Sequence, residues 1–272
     1  MDLTAKISES NISSDYSLQE VVVTINTVKF VMKCVKGGTF MMGAQHNNVN
    51  ELNYDTKSFD WEGPVHSVTL DSYYIAETLV TQALWQAVMG STPMPENHQW
   101  NEQDGLGANY PAYNVSYLDS EKFVEALNVI PEIKAAGIVF RIPTEAEWEF
   151  ACRGGLSTKG LRFSGSDKVD DVAWFDYNSN GQVHPIKEKQ PNELGLYDMS
   201  GNLFEWCYDW YTRYSGESLV NPQGPATASR RVLRGGCWNY SSRNCRCSYR
   251  LNDSPHHADS YYGLRLAMSV VK

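Results

Sequence analysis

The chain has 272 residues, 42% of them apolar, and a formal net charge of −9. That length is enough for one large domain or two small ones, and the acidic balance excludes a nucleic-acid groove, which needs a basic footprint. No apolar run approaches the ~20 residues of a membrane span, and the polar opening MDLTAKISESNISSDYS is not a signal peptide, so the expectation is a chain without membrane insertion, cytoplasmic as synthesised.

In chain order, residues 1–20 read as a polar N-terminal arm and 21–272 as one domain, since neither repeat nor linker interrupts it. Val21 to Phe40 reads as two strands. Val28, Phe30, Met32 and Cys34 alternate with Lys29, Val31 and Lys33, which puts one apolar face on a core. Asn47 to Trp61 is polar and turn-rich, a surface loop, and Val65 to Ile75 alternates again. A helix near 82–89 is predicted from Thr81 as N-cap, an apolar face of Leu84, Trp85, Val88 and Met89, and Gly90 as terminator. After a loop over Pro93 to Tyr110, a second helix near 117–130 starts at the capping box Ser116–Asp119 and stops at Pro131. A third, near 145–152, starts at the box Thr144–Glu147. Beyond Gly155 periodicity fades, as in functional loops. Glu205 and Asp209 then stand among Trp206, Tyr208 and Trp210. Buried acids need partners, and Arg234, Arg246, Arg250 and Arg265 are the candidates.

The six cysteines show no metal-type spacing, because Cys245-Arg246-Cys247 is not a C-x-x-C hook. Reduced thiols are expected, with Cys34, Cys152 and Cys207 acting as small buried hydrophobes.

Arg234 to Ala267 stands apart from the rest. Arg234-Gly235-Gly236 and Gly263 to Ala267 read as structural brackets, with glycines for tight turns and apolar residues flanking Arg265. Between them, Asn239 to Tyr262 uses only Asn, Tyr, Ser, Arg, Cys, Leu, Asp, Pro, His and Ala. This vocabulary lacks the β-branched residues of a sheet and has no helical period. It is close to that of antibody paratopes, where Tyr supplies rigid amphipathic contact and Ser, Asn and Arg adaptable bonds. A long polar surface loop without a binding role would draw on much of the same alphabet.

Four segments resemble, in order, the sulfatase-modifying factor family of formylglycine-generating enzymes. They are Gly37–Gly43 (GGTFMMG), Arg141–Phe150 (RIPTEAEWEF), Asn192–Trp206 (NELGLYDMSGNLFEW) and Arg234–Trp238 (RGGCW). The resemblance implies an α+β, variant C-type lectin-like fold of the formylglycine-generating enzyme type, loop-rich, with few short helices and termini brought together in one sheet. It also implies a copper-binding cysteine pair in the catalytic members. Here Tyr240 stands at the first of those cysteines, Cys245 at the second and Cys237 at a serine. A phenol is a poor copper(I) ligand beside a thiolate. Cys237 or Cys247 would supply a second sulfur only by changing the geometry. The histidines His46, His66, His98 and His184 lie far apart, and His256-His257 are adjacent, so no three-histidine iron motif replaces it. The expectation is no catalytic residue, no cofactor and no metal.

A second resemblance is to the variable proteins of diversity-generating retroelements. It is carried by Gly235-Gly236-Cys237-Trp238, Cys245-Arg246, Pro255 and Gly263-Leu264-Arg265. Adenine-directed mutation of Asn codons such as AAC yields Tyr, Ser, Asp, His, Arg, Leu, Cys or Ala but never Lys, Glu, Gln, Met or Trp. Asn239 to Tyr262 has that vocabulary, within a variable region that the resemblance puts at 237–262. The resemblance implies a non-enzymatic binding protein for a protein or cell-surface ligand, carried on a phage particle or exported by another route. Its contact residues would be Asn239, Tyr240, Ser241, Arg243, Tyr249, Leu251, Asp253, Ser254, His256, His257, Asp259, Ser260 and Tyr261, gathered on one face and open to water. Trp238, Arg246, Arg250 and Arg265 would be buried or bonded to acids such as Glu205 and Asp209. The alternatives are a formylglycine-generating oxidase using Cys245 and Cys237, and a purely structural member of the family.

Overall fold

Strand pairing follows the apolar alternation of the sequence in a computed structural model that describes residues 3–8, 12, 15–93 and 99–271. His98, and the parts of the N-terminal arm and of the loop from Pro93 that fall elsewhere, lie outside the described residues. β1 (Ala5–Ile7), β2 (Glu20–Ile25), β3 (Val28–Val35), β6 (Tyr73–Ala76), β7 (Ile138–Arg141) and β13 (Ala267–Val270) form one sheet in the order β1-β2-β3-β6-β13-β7. β13 lies antiparallel to both β6 and β7, with Ala267 opposite Ile75 and Arg141. The early and late strands thus share one sheet. The arm is less detached than its polarity implied: Ala5 pairs with Ile25, Ile7 with Val23, and Ile12 is buried. Three residues of alternation are too few to read as a strand from sequence.

A second sheet joins β4 (Gly38–Met42), β5 (His66–Leu70) and β9 (Leu219–Val220). A third has the order β11-β10-β8-β12, from β8 (Phe204–Trp210), β10 (Arg231–Arg234), β11 (Arg250–Asp253) and β12 (Tyr262–Gly263). β12 runs parallel to β8, setting Tyr262 opposite Phe204 and Gly263 opposite Glu205.

The three expected helices form where their caps stand. α1 (Gln82–Met89) has the Thr81 side chain accepting from the Leu84 N–H and closes on Gly90 at φ 72°. α2 (Tyr117–Asn128) carries the reciprocal Ser116–Asp119 box. It ends two residues short of 130, and Pro131 does more than stop it. Proline's missing N–H is harmless at a first helical position, and Pro131 opens α3 (Pro131–Ala135). α4 (Glu145–Cys152) begins at the Thr144–Glu147 box, and all eight of its residues are buried, Glu145, Glu147 and Glu149 included. α5 (Val169–Val172) is a single turn within the long irregular stretch.

Two cores result. One lies between the six-stranded sheet and α1 and α2, where Trp85 stacks on Phe123 at 4.9 Å. The other gathers Trp148, Phe150, Leu196, Met199, Cys207 and Val232 around α4. Short strands, few helices and long loops are the α+β architecture that the resemblance implied. No helix among the described residues is long and apolar enough to cross a membrane.

Candidate ligand-binding face

The segment from Arg234 to Arg265 is held from beneath by buried ion pairs. Arg265 forks onto Glu205 with two bonds of 2.8 Å and donates to the carbonyls of Ala76 and Tyr197. Arg250 forks onto Glu145 at 2.7 and 2.6 Å. Arg246 reaches Glu62 at 2.8 and 2.5 Å and Asp55 at 3.3 Å. Arg234 bonds Glu149 and the carbonyls of Cys247 and Ser248. All four arginines are fully buried, which is tolerable because each charge meets a carboxylate and most of the remaining N–H groups meet oxygen; Arg234 Nε is the exception, 3.7 Å from Glu145 and without a hydrogen bond. Burial alone would raise the Glu149 carboxyl, yet the Arg153 and Arg234 guanidiniums hold it below its ordinary value.

The expected pairing of Arg265 with Glu205 forms, whereas the expected pairing of an arginine with Asp209 does not form among the described residues. Asp209 accepts the main-chain N–H of Glu145 at 2.7 Å. Burial, reinforced by the Glu145 charge, pushes it up to about 8. Glu62, Asp55, Glu145 and Glu149 went unread as arginine partners. Glu145 and Glu149 stand one turn apart in a capped helix, and that spacing, beside several arginines in need of acids, was the available signal.

Above this base the chain is fixed mainly by its peptide groups. Gly236, at φ 77°, lets the turn close: a Cβ there would lie 2.7 Å from the Asn244 carbonyl. Asp176 N–H donates to the Tyr240 carbonyl (3.0 Å), Leu118 N–H to Pro255 (3.2 Å), and Asn114 N–H to Asp259 (3.0 Å). Buried Trp238 donates from its indole to the Ser260 carbonyl at 3.1 Å. Arg250–Asp253 forms β11, with Leu251 opposite Leu233. The vocabulary gave no hint of this strand, because its partner β10 imposes it.

Asn239, Ser241, His256 and His257 are exposed. Tyr240, Arg243, Leu251, Asp253, Ser254, Asp259, Ser260 and Tyr261 are half-buried. Tyr249 departs from expectation: it is only 5% exposed. Its ring packs toward Phe59 and Phe204, 5.8 and 6.2 Å between centres, and burial pushes its phenol up to about 12. The structure brings Tyr240 and Tyr261 together at 5.7 Å, with Tyr261 edge-on to Tyr262 at 4.9 Å. Asp253 accepts from the Tyr262 hydroxyl at 2.8 Å and meets His257 Nδ1 at 2.6 Å, while His257 Nε2 lies 3.9 Å from Asp259. Arg243 stands apart from this cluster, its guanidinium 3.3 Å from the Phe59 ring centre. Phe59 in turn stacks on Trp61 at 4.3 Å. The loop carrying Phe59 and Trp61 therefore borders the face, although its sequence read only as polar surface.

The donor set does not fit a copper(I) site. The Tyr240 ring sits edge-on to Phe204 at 5.2 Å, where the resemblance would put a thiol. The Cys237 and Cys245 thiols are both pushed up by burial, against the thiolate that the metal needs. Cys247 does not supply the missing sulfur, since it faces the Cys152 carbonyl at 3.7 Å. Cys34, Cys152 and Cys207 are buried as small hydrophobes.

Residues 24–270 match the family of the sulfatase-modifying factor enzyme 1-like domain. Among solved structures, the chain is similar to variable protein 1 of Treponema denticola, at a TM-score of 0.76 and 31% identity over 92% of this chain and 99% of that one. It is 28% identical to the formylglycine-generating enzyme of Streptomyces coelicolor over 76% of this chain and 82% of the enzyme. It is also 28% identical to the serine/threonine-protein kinase pkn1 of Chlamydia pneumoniae over 88% of this chain, but spans only 38% of the kinase's length. The variable-protein neighbour bears out the second resemblance as well as the first. With nearly its whole length matched and its fold of the formylglycine-generating enzyme type, the chain belongs to the sulfatase-modifying factor enzyme 1-like domain family.

Proposed function

We propose that the protein is a non-enzymatic binder that presents the side chains of Asn239 to Tyr262 to a protein partner. The carrying observation is the division of labour in that segment. Main-chain groups and buried arginines hold its path, while most of the candidate side chains reach water. Aromatic residues half-open to solvent on a pinned backbone make a contact surface with little torsional freedom to lose. The variable-protein neighbour supports the same reading.

A variant replacing the exposed Asn239, Ser241, His256 and His257 together tests it. Its melting temperature stays within a few degrees of the parent, because surface substitutions usually change stability by less than ~0.5 kcal/mol each. A display library randomised at these positions yields binders to an unrelated folded protein such as lysozyme. Unfolding of the multiple variant, or a library with no binders, overturns the proposal.

A further inference from the structure

At the edge of this face, a cleft of about 260 Å³ is lined by Lys57, Arg162, Phe163, Ser241, Ser242, Arg243 and Arg246. Its lining carries four cations and no carboxylate. Arg246 is the floor, buried and saturated by Glu62, Asp55 and the Arg243 carbonyl. The other three cations are not used up. Arg243 spends Nε on the Lys57 carbonyl (2.7 Å) and Nη2 on the Ser58 carbonyl (3.2 Å), which leaves Nη1. Arg162 has a side chain 45% exposed, and among the described residues its guanidinium meets only Asp55, at 3.6 Å. Lys57 is exposed, and its ammonium forms no ion pair among the described residues. The Ser242 hydroxyl makes no hydrogen bond among the described residues, whereas the Ser241 hydroxyl donates to Asn244 Oδ1 at 2.9 Å.

Glu62 and Asp55 answer Arg246 and Arg162 from beneath, but Lys57 and Arg243 have no carboxylate among the described residues, and that excess of cations around a concavity focuses positive potential even on an acidic protein. We propose that this cleft binds a tetrahedral oxyanion, sulfate or phosphate, either free or as the monoester end of a larger molecule. The Arg162 guanidinium, Arg243 Nη1, the Lys57 ammonium and the Ser242 hydroxyl match an acceptor with several oxygens. The volume lies below the ~300–1,000 Å³ of sites that enclose whole ligands, so the cleft takes one group. Lys57 and Arg162 lie outside Asn239–Tyr262, so this anchor would persist while Ser241, Ser242 and Arg243 tune it.

Calorimetric titration of the full chain at low ionic strength with inorganic phosphate, sulfate, phenyl phosphate and acetate decides the matter. Phosphate or sulfate saturates one site, and affinity falls at least ten-fold in Lys57→Ala/Arg162→Ala while the melting curve stays unchanged. Should that double variant lose its fold, Lys57→Gln at its exposed position gives the same, smaller loss. Comparable binding of phenyl phosphate identifies an ester-borne group, and binding of the inorganic ions alone a free one. Heats that only track sodium chloride at equal ionic strength, equal affinity in the variants, or acetate bound as tightly as phosphate overturn the proposal. No protein partner enters the test, so its failure leaves the binding-face reading standing.

Discussion

Tyr249 and His256 belong to the same polar stretch, yet only His256 faces water. Tyr249→Ala leaves a hole between Phe59 and Phe204 and costs about 3–5 kcal/mol in denaturant unfolding, whereas His256→Ala stays within ~0.5 kcal/mol. Equal costs would mean that the boundary between face and core is misplaced. Asp209 provides a second test of burial. Its carboxyl is raised from an ordinary 3.8 to about 8, mainly by desolvation. Between those values the folded state keeps a proton that the unfolded chain has released, so this group's contribution to stability falls as pH rises through the window. Asp209→Asn keeps an acceptor for the Glu145 N–H and removes that loss. Its melting temperature therefore gains on the parent's from pH 4 toward pH 8, as thermal scans across pH will show.

At the scale of elements, caps decide where helices start. Thr144→Ala deprives the Glu147 N–H of its acceptor, 3.2 Å away, and costs about 1 kcal/mol in a denaturant titration. The same local chemistry explains how much was legible beforehand. Thr81, Ser116 and Thr144 are short-range signals, and the helices begin after each of them. β11 was illegible because Arg250-Leu251-Asn252-Asp253 has no strand character of its own and is drawn into the sheet by Val232 and Leu233 opposite. The exposure of most candidate side chains agrees with the vocabulary. The burial of Tyr249 does not, because it depends on Phe59, nearly two hundred positions earlier. The arginine partners were hidden for the same reason: Arg246 finds Glu62 across the fold.

Across the whole molecule, the arginines tie the late segment to elements formed much earlier in the chain: Glu62, Glu145, Glu149 and the Ala76 carbonyl. Arg246→Ala strands the Glu62 carboxylate in a buried site and lowers unfolding stability by about 3–5 kcal/mol. A loss below ~1 kcal/mol would show that water replaces the guanidinium. The position of β13 between β6 and β7 has a consequence of another kind. Ribosomes deliver β13 after both of its neighbours, so the six-stranded sheet cannot close during most of synthesis. A chain whose translation breaks off anywhere in Asn239–Tyr262 lacks β13 altogether. It leaves the facing edges of β6 and β7 unpaired and presents proteases with an open sheet. Products interrupted in the proposed binding segment thus mark themselves for removal, and only chains read through to β13 close the sheet.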